Sequence, residues 1–189
     1  QLEEEFRKNQ EKLRIAEEAY LKQLGSLNEL FGHMQSITTD SRVTFESSLT
    51  AAEFGKEREK FLGDLTQKMG ESTELPTIEE IERVWYEIMR EMKATGEVSR
   101  FTATVINVDG TQTECDVVRV GVYNAVCGNS YLEYVPTKGQ YQFLARQPAG
   151  RYTSSAGRVS NADASSGYVS FSVDPSGPSG GALLANLVQ

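Results

Sequence analysis

The chain has a single histidine, His33, only two cysteines, Cys115 and Cys127, and no apolar run near the roughly 20 residues that a transmembrane helix needs. Each scarcity removes a class of function. A zinc site needs about four nitrogen, sulfur or oxygen ligands converging on one point. Two cysteines without CxxC spacing and one remote histidine do not supply them, so no metal and no cofactor is expected. Cationic residues are also short: 19 Lys and Arg face 27 Asp and Glu, for a net charge of −8. A sequence-independent grip on nucleic acid needs clustered cations that displace counterions, and adsorption to an anionic membrane needs them too. Neither is expected. No signal peptide is visible, and Gln1 is expected to mark a processing or fragment boundary.

The same scarcity limits catalysis. His33 lies in a helical stretch, is expected to face solvent near a helix end, and no G-x-S-x-G is present. Either cysteine with His33 would make a nucleophile–base pair, but no pattern brings them together. The carboxylates fall mostly on solvated helix faces, and Glu79, Glu80 and Glu82 read as partners of a helix N-terminus. The glycines at 177–181 are not followed by Lys-Ser or Lys-Thr, so no phosphate loop is present. Tyr131, Tyr134, Tyr141, Phe143 and Tyr152 read as strand and core residues rather than a stacking platform. No catalytic, cofactor-binding or metal-binding residue is predicted, and the chain is not expected to be an enzyme.

What is present changes character near residue 96, from Glu, Lys, Leu and Gln to Val, Thr, Tyr, Ser and Gly. The predicted class is α+β: long N-terminal helices in a coiled-coil-like hairpin, then a small antiparallel β meander packed on a helix. Leu2, Phe6, Asn9, Leu13, Ala16, Tyr20, Leu24, Leu27, Phe31 and Met34 follow alternating steps of 4 and 3 with one extra 4-step after Tyr20. That is a heptad seam with a stutter, and Asn9 is a candidate register device. It serves either a coiled coil between copies or an amphipathic helix packed on the next one. Gly25 and Gly32 each cost ~1 kcal/mol in a helix, so an end or bend is expected at 32–36. Asp40 is then expected to cap a second helix running to about Met69, with Gly55 and Gly63 as weak points.

Thr77 followed by Glu80 is a capping box. Ile78, Ile81, Trp85, Ile88, Met89 and Met92 form one stripe, expected to face the core, and Gly96 is the expected left-handed C-terminal cap. Beyond it the period falls to two. A two-residue turn at Asp109-Gly110 would set Val108 against Thr111 and Phe101 against Val118. Turns at Gly128-Asn129 and Lys138-Gly139 would set Val122 against Val135, Val126 against Tyr131 and Tyr134 against Phe143. Four strands result, with the 77–95 helix as their cover. One continuous strand from Gln112 to Cys127 would hold the cysteines ~40 Å apart, whereas a disulfide needs Cα atoms within about 7 Å. A bond would require a break near Gly121, and none is expected. Residues 168–173 alternate like a last strand. The chain divides into a helical arm (1–72), an α+β domain (73–174), and a linker with a short apolar tail (175–189).

Several stretches resemble one family: LGSLNELFG at 24–32, LPTIEEIERVW at 75–85 continuing through REM at 90–92, RF at 100–101, VRVGVYNA at 118–125, ARQPAG at 145–150, VDPS at 173–176 and GALL at 181–184. Their order and spacing resemble the periplasmic N-terminal region of extended ExbB-like proteins of the TtpC type, in the MotA/TolQ/ExbB proton-channel family. The inserted Gly177-Pro178-Ser179-Gly180 departs from that pattern, as does Cys127. The resemblance implies a membrane channel portion following Gln189 and a place in the periplasm as part of an inner-membrane protein of a Gram-negative bacterium. It implies ExbB and ExbD-type subunits and TonB as partners, in support of iron–siderophore or haem uptake. The family's ion-conducting residues lie in its membrane helices, so none carries over to this stretch. The function expected is an interaction module of a TonB-dependent complex. The alternatives are an oligomeric stalk held by the arm, or a cell-wall-binding module.

Overall fold

A computed structural model describes residues 2–70, 76–163 and 165–174, apart from the side chains of residues 2, 3 and 20–28. Helix α1 spans Leu2–Ser47, α2 Ala51–Gly70, α3 Ile78–Thr95 and α4 Gly150–Ser160. Between α3 and α4 lie five strands: β1 Val98–Ile106, β2 Gln112–Val120, β3 Asn124–Cys127, β4 Ser130–Val135 and β5 Gln140–Phe143. Because α2 is broken at Gly55 (φ 70°), it is two helices end to end, and the described residues hold five helices in all. The expected tail at 175–189 and the seam side chains of Tyr20, Leu24 and Leu27 lie outside the described residues.

The helical half departs from the sequence reading at its first corner. α1 runs unbroken through the expected bend at 32–36, and Asp40 is an exposed interior residue of it rather than a cap. The physical reason is tertiary. Met34, Thr38 and Phe45 lie on one side of α1, and Phe45 and Met34 pack with Leu62, Leu65 and Met69 of α2 and Val84 of α3. That burial outweighs the cost of one exposed glycine, since most helical stability in proteins comes from packing. The corner falls instead at 48–50, where Leu49 leaves the helix for the β core. The capping box of α3 is present: Glu80 N–H donates to Thr77 Oγ1 at 3.2 Å and Thr77 N–H to Glu80 Oε2 at 2.7 Å. Gly96 caps its end, but with right-handed geometry (φ −97°).

The open four-stranded meander is not found. The five strands form a closed barrel in the order β1-β2-β3-β4-β5. Successive neighbours are antiparallel. With an odd number of alternating strands, the closing pair must be parallel, and β5 meets β1 that way at Val105–Tyr141 and Ile106–Gln142. Closure removes the free edges an open meander would carry. The fifth strand arises because the 112–127 stretch is two strands. Gly121 sits at φ 58°, and a Cβ there would lie 2.7 Å from Thr95 O, so both the turn and the approach of α3 require glycine. Val122 therefore lies in the turn, not opposite Val135. The same break corrects the cysteine expectation. Val117 now faces Cys127, Cys115 is two residues along on the same face, and the Cα atoms are 6.2 Å apart in a Cys115–Cys127 disulfide.

The registers are informative. Val126 faces Tyr131 as expected. Phe101 faces Val117 rather than Val118, because Asn107 N–H bonds Thr111 O around a three-residue loop. A one-residue slip exchanges faces, and the pattern could not reject it since β2 is apolar on both. Val117 points into the barrel, while Val118 is covered outside by Ala156 and Val159 of α4. Tyr134 faces Tyr141 rather than Phe143, a two-residue shift that keeps the face. Residues 168–173 are irregular and not a strand. The barrel core is Val105, Val117, Ala125, Leu132, Tyr134 and Tyr141, with Leu49 inserted from the α1–α2 corner. The expected cover, α3, lies instead against α1 and α2. Its stripe residues Ile78, Trp85, Met89 and Met92 are exposed, and Val84, Glu87, Glu91 and Ala94 are the buried ones.

Candidate interaction surfaces

Among the described residues, two buried ionic clusters act as joints, one among the helices and one between the helices and the barrel. Glu91 of α3 accepts hydrogen bonds from Ser48 Oγ (2.6 Å), Thr50 Oγ1 (2.6 Å) and Arg58 Nη1 (2.7 Å). Arg58 also reaches Phe45 O and lies over the Phe45 and Phe54 rings. In the second cluster, Arg119 of β2 donates to Glu53 Oε2 (2.8 Å), Ala94 O (2.7 Å) and Gly121 O (2.7 Å), while Ser99 Oγ holds the other Glu53 oxygen. Arg119 thus places a cation at the C-terminal carbonyls of α3, where the helix dipole favours it. Their charged groups are spent on one another, which suits joints between elements rather than reaction centres. Tyr141 adds a third joint. Its hydroxyl donates to Leu49 O, and burial pushes its pKa far up, with the nearby Arg119 cation opposing.

The residues weighed for chemistry do not converge. His33 is exposed in the middle of α1, and both thiols are taken up in the disulfide. Tyr131, Tyr134 and Tyr141 are buried in or against the barrel, so they offer no stacking platform. No group of three or more metal-ligating side chains occurs among the described residues. A cavity of about 530 Å³ opens where β1 parts from β5, walled by Thr102, Thr104, Tyr134 and Lys138 and by Lys56 and Glu59 of α2. Burial raises the Tyr134 hydroxyl pKa there, and Glu59 raises it further.

Among the described residues, two apolar stripes are exposed. The first is the arm of α1. Gly70, at the end of α2, lies beside Gln35, so the preceding residues of α1 run on for about 50 Å without α2 at the helical rise of 1.5 Å per residue. Residues 4–19 are all exposed, including the seam residues Phe6 and Leu13. Charge pairs along the helix, Lys8–Glu4 and Arg14 with Glu11 and Glu18, support it in water. The second surface is the outer face of α3. Sequence periodicity found both apolar stripes, but it assigned the α3 stripe to the core because periodicity does not tell which of two apolar faces is covered.

At the opposite end from the arm, the chain is fastened. Asp174 N–H bonds Asn124 Oδ1 at 2.8 Å and Tyr131 Oη bonds Ser172 O at 2.9 Å, holding residues 172–174 beside the β2–β3 turn and the C-terminus of α3. No protein-family model, curated protein or solved structure matches the chain. No helix among the described residues is long and apolar enough to cross a membrane.

Proposed function

We propose that this chain is the periplasmic interaction module of a TonB-dependent energy-transduction complex of the ExbB/TtpC kind, acting beside ExbB and ExbD-type subunits and TonB in iron–siderophore or haem uptake. The reading starts from the order and spacing of the resembling stretches. The observation that carries it is the polarity of the molecule. Asp174 is tied to the barrel end, and the arm leaves from the other end of the helical bundle. A membrane segment following the tail would then sit below the barrel, and α1, about 70 Å long at 1.5 Å per residue, would reach away from the membrane. The disulfide also favours the reading, because such bonds persist in oxidising compartments such as the periplasm. The experiment is iron–siderophore uptake by cells whose full-length protein lacks residues 1–174 at normal membrane abundance. Lost uptake supports coupling by this region; undiminished uptake refutes it.

The uncovered Phe6 and Leu13 favour a second reading, an oligomeric stalk. If Phe6→Glu with Leu13→Glu dissociates the protein yet leaves uptake intact, self-association is not what the region is for.

A further inference from the structure

α3 is apolar on two sides. Ile81, Val84 and Ile88 face the bundle, while Ile78, Trp85, Met89 and Met92 are 72, 61, 60 and 63 % exposed. Together with position 82, the exposed set steps by 4, 3, 4 and 3. That is the narrow seam of a coiled coil rather than the wider stripe of a core-facing helix. Position 82 is held by an exposed glutamate, and Glu79 lies exposed one turn earlier. Among the described residues Glu82 has no ion-pair partner.

We propose that this seam is the docking site for an amphipathic helix of another protein, with apolar residues at matching 4-3 spacing and a lysine or arginine opposite Glu82. Spacing selects a helix, since each seam side chain needs a hole formed by four residues of a facing helix. Composition suits an anchor surface, because tryptophan dominates interface hot spots and methionine adapts to what it meets. The carboxylate selects the charge. A second copy of α3 does not supply it. Packed parallel, it sets Glu82 against Glu82. Packed antiparallel with Trp85 over Met89, it sets Glu82 against Met92, beside a Lys93 that is already paired with Glu97 of its own chain. Either way a carboxylate enters the seam without a free cation, which is costly. An anionic lipid surface is repelled by the same groups. A helix with one cation in register satisfies Glu82 and covers the four apolar side chains together.

Trp85 is the only tryptophan in the chain, so its fluorescence reports on this face alone. The free protein is expected to emit as a water-exposed indole. The probe is a synthetic helix of the same 18-residue length as α3, with leucine at the seam positions and lysine opposite Glu82. It should move the emission to the blue, and the same peptide with glutamate for that lysine should bind at least about tenfold more weakly. Met89→Glu should abolish binding of both peptides, and Glu82→Lys should reverse the preference between them. Circular dichroism of each variant checks that the fold is retained. Equal affinity for the two peptides, or a preference unmoved by Glu82→Lys, overturns the proposal. So does blue emission before any peptide is added, a dimer in sedimentation that Met89→Glu dissolves, or an emission shift produced by phosphatidylglycerol vesicles and not by the lysine peptide.

Discussion

Glu91 stands where three helices meet, and its two oxygens take hydrogen bonds from Ser48, Thr50 and Arg58. Removing one side of such a pair leaves a buried charge without a counter-charge, which costs about 3–5 kcal/mol. Glu91→Ala is therefore expected to lower the unfolding free energy, read from urea titration, by that much, and Glu91→Gln by less, because the amide still accepts from the hydroxyls. Glu80 shows the same logic at the surface. Its pKa lies below the usual carboxylate range, first because Thr77 N–H donates to it and then because Lys68 pairs with it, against partial desolvation. A depressed folded-state pKa contributes stability that is full above the unfolded value and is lost as pH falls through the folded one. Melting curves of the parent from pH 6 downward should show that loss below the ordinary glutamate range, and Glu80→Gln should show a smaller one. Gly121 was legible as a possible break, but not the contact behind it. Only the fold brings Thr95 O to the place a Cβ would occupy.

Among the elements, β2 and β3 are bound by the Cys115–Cys127 link across their turn. Cross-linking a loop of this size restrains the unfolded chain by about 3 kcal/mol. Thiol titration of the native protein should find no free cysteine, and reduction should release two thiols and lower Tm; an unchanged Tm would mean the pair contributes no stability. Helix α3 was legible from its N-terminal capping box and its 3.6-residue period, as was the Gly128 hairpin with Val126 facing Tyr131. Helix α4 was not. Its sequence of Gly, Ser and Thr has poor helix propensity, and it forms because Ser155, Ala156, Gly157 and Val159 make a low surface that lies closely on the barrel. The side chain of Asn129 already fills the place of a Cβ at Gly157. The barrel itself was missed for a related reason. Pattern reads strands singly, whereas closure depends on where β5 ends relative to β1.

The whole molecule is a lever with a weighted end. A compact chain of this length has a radius of gyration of about 16 Å, and the arm makes the described structure longer than that allows. Small-angle scattering should give a clearly larger value, and removal of residues 2–30 should bring it back towards the compact one. Removal of residues 2–19 alone should leave the Tm of the remainder nearly unchanged, since residues 4–19 are exposed throughout. A large loss of stability would show that the arm folds back on the body.

The corner after α1 bears on what such a lever can do. Helix α1 ends at Ser47, Ser48 is already held by Glu91, and Leu49 is inside the barrel with Tyr141 bonded to its carbonyl. No slack joint separates arm from barrel. A sideways displacement at the tip therefore turns α1 about the place where it enters the bundle, and the force there is magnified by the ratio of arm length to the clamped length. Mechanical load applied far out would be felt first by Met34 and then by Phe45 in their packing against α2, and only after them by Leu49 in the barrel.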